Sequence, residues 1–221
     1  MYISYDQYEL MAGIKLGKRV MDPLFAELID WIKASFGIQV VYFIHEEQSQ
    51  PQRCLLLRMF LETMKDVKAI AVDPQNWHLE YKHQNEIIAK FVELVRKHKR
   101  EGDFNLERIR TIAWNFDDLA REDTYRSAGP EIAEHIRTHY ADAPIHLIDC
   151  TYSLTVFYHT DEQVTECQKN GISGRIKADY YYFLKKHDDF DLITPDNMWC
   201  TFDSHENVEK NYQGNYYYYF K

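Results

Sequence analysis

In DPLFAELIDWIKASFG the apolar residues Phe25, Leu28, Ile29 and Ile32 fall three and four apart, which predicts a helix with one buried face. Asp22 offers an N-cap, Pro23 suits the first turn and Gly37 suits the stop. The pattern then shortens its period. IQVVYFIH (38–45) is β-branched and aromatic, and beyond the polar turn EEQSQPQ the run RCLLLRMFL (53–61) reads as a second strand paired to it. KAIAV (68–72) reads as a short strand, DPQN (73–76) as a turn and WHLEYK (77–82) as a further strand. Helical spacing returns in NEIIAKFVELVRKHKR (85–100), where Ile87, Ile88, Phe91, Leu94 and Val95 form one stripe. Its basic tail, Arg96, Lys97, Lys99 and Arg100, complements the helix dipole and needs no nucleic-acid partner.

EGDFN (101–105) and RSAGP (126–130) have the composition of linkers. Between them RIRTIAWNF reads as a strand leading into DDLARED, and after them PEIAEHIRTHY (130–140) reads as a helix, followed by strands PIHLID and YSLTVFYH. A weak echo follows, because TVFYHTDEQVTECQKNG and CTFDSHENVEKNYQGN share an order of strand, hydroxyl cap, polar helix and Asn/Gly stop. Thr160 with Gln163 has capping-box spacing, and Ser204 is the cap of the second copy.

The sequence finishes on NYQGNYYYYFK. As a strand, this run turns Tyr216, Tyr218 and Phe220 to one face and Tyr217 and Tyr219 to the other, so both faces need cover and the segment is expected inside a sheet. DYYYFLKKH (179–187) is expected on a helix that buries Ile176, Tyr180, Phe183 and Leu184 and leaves Tyr181 and Tyr182 toward the flanks.

Composition narrows the class. With 221 residues, 45% hydrophobic and 28% charged, the chain matches a globular α+β protein: a mixed, mainly antiparallel sheet with packed helices. It reads as one compact unit over 1–221, or as two closely packed halves, 1–104 and 105–221. Cys54, Cys150, Cys167 and Cys200 lie far apart without metal-ligand spacing, and no secretory signal or membrane-length apolar run is present, so the expectation is reduced thiols in a cytoplasmic protein with no membrane partner. Residues 1–104 carry a net −1 and residues 105–221 a net −8. That imbalance disfavours nucleic acid and suits a basic protein partner.

The chemistry on offer is sparse. No GxGxxG, Walker A or GxSxG pattern occurs. In AIAVDPQNWHLEYK, a strand ending near Val72 and another through WHLEYK place Asp73 and Glu80 at one sheet edge, with Lys82 on the face of Glu80. Two carboxylates for Mg²⁺ or Mn²⁺ and an amine to orient water serve phosphodiester hydrolysis, and the arrangement resembles the Asp, Glu-x-Lys core of the restriction-endonuclease-like nucleases over about ten residues. His135 and His139 share a helix face and offer two ligands to a metal, without the HExxH glutamate or a third ligand.

Acidic clusters at Asp117, Asp118, Asp188, Asp189 and Asp191 lack the glycine and spacing of a calcium loop. Together with Tyr181, Tyr182, Tyr217 and Tyr219 they describe an acidic, tyrosine-rich surface for protein binding rather than catalysis, with no cofactor. Small antitoxin and immunity proteins that mask basic toxins share this composition, though no motif. The alternatives are a metal-dependent hydrolase built on Asp73, Glu80 and Lys82, and a small-ligand protein with a tyrosine-lined pocket.

Overall fold

The computed structural model describes residues 3–48, 53–73 and 78–221, and of Asp73 only the backbone. The expected turn at 73–76, Trp77 and most of the turn after 45 lie outside the described residues. Two compact units divide the chain, Met1–Leu119 and Ala120–Lys221.

The first unit carries helices α1 (Tyr5–Lys15), α2 (Pro23–Phe36), α3 (Met64–Ile70) and α4 (Tyr81–Lys97), and strands β1 (Val40–Gln48), β2 (Cys54–Leu61), β3 (Ala71–Asp73), β4 (His78–Leu79) and β5 (Ile109–Asn115). The strands form a mixed sheet ordered β1-β2-β5-β4-β3, in which β2 and β5 are parallel and the other pairs antiparallel. β2 is buried along its whole length, as an almost uninterrupted apolar run in mid-sheet must be. Its alternate residues Leu55, Leu57, Met59 and Leu61 meet Leu24, Phe25, Leu28 and Ile32 of α2 and Ile87, Phe91, Leu94 and Val95 of α4. Phe25 lies at the centre, with ring centroids 5.8 Å from Phe43 and 6.1 Å from Phe91.

The second unit holds most of helix α5 (Phe116–His139), strands β6 (Ile145–Asp149), β7 (Leu154–Tyr158) and β8 (Cys200–Ser204), and helices α6 (Asp161–Lys169), α7 (Ile172–His187), α8 (His205–Tyr212) and α9 (Tyr216–Tyr219). Its sheet runs β6-β7-β8, with β6 antiparallel and β8 parallel to β7. The parallel pair requires a crossover, which α6 and α7 provide. One face of β7, Leu154, Val156 and Tyr158, packs with Ile132 and Ile136 of α5 and Ile176, Tyr180 and Leu184 of α7.

The α+β class and the mainly antiparallel pairing are as the sequence predicts. Local expectations change in four places. RSAGP is no linker: α5 runs through it, Pro130 included, because the stripe Tyr125, Ala128, Ile132 and Ile136 continues across it into the core. Gly129 has a steric role there, since a Cβ would come 2.9 Å from the Cys150 carbonyl oxygen. Of the expected strand WHLEYK, the described residues are strand at His78–Leu79, after which Glu80 is the N-cap of α4. The tyrosine run is a helical turn, not a buried strand.

Two helices carry signals that the hydrophobic pattern alone passes over. Ser4 with Gln7 and Thr63 with Asp66 form capping boxes that start α1 and α3, and α3 takes up much of the strand expected in KAIAV.

Candidate functional site

The two echoing segments lie side by side in the second unit. β7 and β8 are parallel neighbours, and each passes through a hydroxyl cap into a helix: Thr160 accepts from the Gln163 N–H at the start of α6, and Ser204 from the Asn207 N–H at the start of α8. The helix starts also bind each other. The Ser204 hydroxyl donates to the Asp161 carboxylate, and the Asp161 N–H donates to Glu206 Oε2 at 3.0 Å. Lys210 reaches Glu206 at 2.6 Å and Asp161 at 3.5 Å. The Ser204 hydroxyl and Lys210 hold the Asp161 carboxyl below the usual carboxylate range, and Lys210 does the same for Glu206.

Beside this join, three histidines from three elements meet. His146 of β6 stacks on His205 of α8 with centroids 4.1 Å apart and stands edge-on to His159, after β7, at 5.2 Å. Partial burial and the two neighbouring imidazoles push the His146 pKa down. His205 Nδ1 lies 2.9 Å from the Tyr216 hydroxyl, and its Nε2 lies 3.4 Å from Glu209. The sequence shows no sign of this cluster, because the three positions come together only through the β6/β7 pairing and the β7/β8 crossover.

Tyr216 opens the short helix that replaces the expected strand. Asn215 caps it by accepting from the Tyr217 N–H at 2.9 Å. The second face of the small sheet presents Phe157, fully buried, with Asp203 opposite it on β8. Tyr216, Tyr219 and Phe220 surround the Phe157 ring at 4.9, 5.0 and 6.1 Å, and the Tyr219 hydroxyl donates to Asp203 at 2.7 Å. A helical period therefore turns Tyr216 and Tyr219 inward and leaves Tyr217 and Tyr218 outward, 68% and 51% exposed. Burial, then the Asp203 carboxylate, raises the Tyr219 pKa.

The other expected surface residues divide by role. Tyr182 is exposed and Tyr181 packs partly against the core. Lys186 Nζ sits 5.0 Å from the Tyr182 ring centroid and 4.3 Å from that of Phe183. The Asp188 side chain is buried and accepts from the Leu192 N–H at 2.8 Å, the Ile193 N–H at 2.9 Å and Lys185 Nζ at 2.6 Å. It shapes its own loop and offers nothing to a partner. Asp191 is exposed and paired with Lys185, and Asp189 is exposed.

Of the catalytic and metal candidates, the Asp73 side chain lies outside the described residues. Glu80 lies at a helix cap, 3.8 Å from His83, and Lys82 is in the first turn of α4, so the two do not share a strand face. His135 and His139 do share a helix face, with rings stacked at 4.0 Å. His135 Nε2, however, is bonded to Asp179 Oδ2 at 2.8 Å, and the Tyr140 hydroxyl donates to the same oxygen at 2.7 Å. Asp179, on the facing helix α7, is the partner that spacing along one helix cannot reveal. Burial and this bond push Tyr140 up to about 12.

Among the described residues no three His, Cys, Asp or Glu side chains are arranged to hold a metal ion. No described helix is long and apolar enough to cross a membrane. An open hollow lined by Ile136, Tyr140, Ile145, His146 and Ile148 has one tyrosine in its wall. No protein-family model, curated protein or solved structure matches the chain.

Proposed function

We propose that the second unit is a protein-interaction module that receives a basic partner on the outward tyrosines of α9. The observation that carries this reading is the division of four consecutive tyrosines into an anchored pair, Tyr216 and Tyr219, and a displayed pair, Tyr217 and Tyr218. Exposed aromatic rings on a packed base supply contact area with little side-chain entropy left to lose.

Charge selects the class of partner. Residues 120–221 carry a net −7, against −2 for residues 1–119. Glu209, 59% exposed, stands against Gly214 at the turn into α9. The chain's own lysines illustrate the contact, with Lys221 Nζ 5.9 Å from the Tyr217 ring centroid and Lys186 over Tyr182. Arginine or lysine side chains of a partner would seat in the same way, with the acidic field accelerating encounter.

The test is titration of a fluorescent arginine- and lysine-rich peptide into the full chain, followed by anisotropy. Replacing Tyr217 and Tyr218 together by alanine is expected to weaken binding about tenfold or more, as loss of aromatic anchors does at protein interfaces. Equal binding by the native and doubly substituted proteins would sink the reading.

A further inference from the structure

We infer that His146, His159 and His205 form a pH-sensitive latch on α9: when neighbouring rings take up protons, the imidazoles separate, His205 draws away from Tyr216, and the helix lifts off Phe157. This inference rests on the reading of Tyr217 and Tyr218 as a binding surface, and names what regulates it.

Two neutral imidazoles stack without penalty at 4.1 Å, whereas two imidazolium rings at that separation repel, the more so for being partly shielded from water. His146 faces His159 from the end of β7 and His205 from α8, and no carboxylate is bonded to it among the described residues. His205 has Glu209 on one nitrogen and the Tyr216 hydroxyl on the other. The remaining charges at the join compensate one another: Glu206 and Asp161 are both engaged by Lys210. A charge on His205 would therefore stand against Glu209, whereas a charge on His146 would meet two imidazoles and no bonded counter-charge among the described residues. Separation of the rings relieves that repulsion.

His205 is the ring free to transmit that movement. It is the first residue of α8, and its Nδ1 is bonded to the α9 tyrosine that stacks on His205 and stands edge-on to Phe157. His146 lies on β6, at the register irregularity between Ile145 and Leu147, and His159 follows β7, where its N–H donates to the Pro144 carbonyl. The depressed His146 pKa has the matching sign, since the folded state resists the proton that the unfolded chain accepts, so this contribution to stability weakens as pH falls below the ordinary histidine range.

The experiment is NMR on the free, full-length protein, following the three imidazoles and the ring NOEs from Tyr216 and Tyr219 to Phe157 between about pH 8 and about pH 5, a range that spans histidine titration. In the native protein the NOEs are expected to be strong at the upper end and to fade together with the charging of His146. In His146→Gln, and independently in His159→Gln, they are expected to persist to the acid end. NOEs that survive in the native protein with all three imidazoles charged would overturn the latch. So would a variant pair that loses them at the same pH as the native protein. No partner enters this measurement, so a failed latch leaves the peptide titration standing, and a failed titration leaves the latch to be judged by its own signals.

Discussion

β7 with α6 and β8 with α8 are built to one local plan and have different fates. β7 is the middle strand, buried at every residue, and its cap Thr160 closes a full capping box with Gln163. β8 is the edge strand, only partly covered, and its helix starts at Ser204 without the reciprocal bond, because Asn207 turns its side chain to Asp203 instead. A repeated local signature thus specifies a strand and a helix start, while position in the sheet decides what the unit must then recruit. Both units meet at the second face of the sheet, where Phe157 of the central strand lies beside Asp203 of the edge strand. At the edge, the second face over Phe157 and Asp203 is covered by α9, and that cover is what places two tyrosines in solvent.

Removing the ring of the central strand on which α9 packs should have the largest effect. Phe157→Ala is expected to cost about 3–5 kcal/mol, the usual range for deleting a fully buried phenylalanine, because it empties the site that three aromatic rings enclose. Urea denaturation of the full chain measures this, and a cost below that of Phe202→Ala, at a half-buried edge position, would reverse the comparison.

The caps come next. Ser204 is fully buried and bonded to both Asn207 and Asp161, so Ser204→Ala should cost about 2 kcal/mol, at the upper end for caps, whereas Thr160→Ala should cost about 1 kcal/mol. Equal midpoint shifts would show that the two starts are energetically equivalent.

Acid should act on the join between the two helix starts. The folded-state pKa values of Asp161 and Glu206 are lowered, so their contribution to stability is present above the ordinary carboxyl range and is lost as pH falls through the lowered values. Urea midpoints measured from about pH 5 to about pH 3 should fall less steeply in Asp161→Asn than in the native protein, since that variant has already lost one of the two titrating groups. Parallel curves would exclude Asp161 as a contributor. Smallest of all, the paired Tyr217→Ala and Tyr218→Ala substitutions should change stability by no more than about 0.5 kcal/mol, as exposed positions do, while weakening peptide binding about tenfold or more. A large stability loss would mean that the displayed pair is structural.

Much of the fold is legible in the order of residues along the chain. The 87, 91, 94, 95 stripe of α4, the apolar run of β2, and the Thr160 and Ser204 caps all appear as elements where their patterns place them. Where the reading fails, a local signal has been given too much weight against a longer one. Gly129 and Pro130 look like a break, yet the core stripe of α5 extends on both sides of them. The candidate site is less legible still. Asp188 has the composition of a surface acid and is consumed by its own loop's N–H groups, and Asp179 lies on a different helix from the His135 it binds.

What the sequence alone determined is therefore the class of the fold, the longer elements other than α5, the Thr160 and Ser204 helix starts and, by simple count, the acidic balance of the second unit; the elements and caps depend on neighbours within about two turns of chain. Tertiary structure decided the rest. Four tyrosines are too few to express a period, so Tyr216–Tyr219 satisfies strand and helix patterns alike. The buried ring of Phe157, the Asp203 carboxylate and His205 select the helix, because that period turns inward together Tyr216 and Tyr219, which a strand would send to opposite faces.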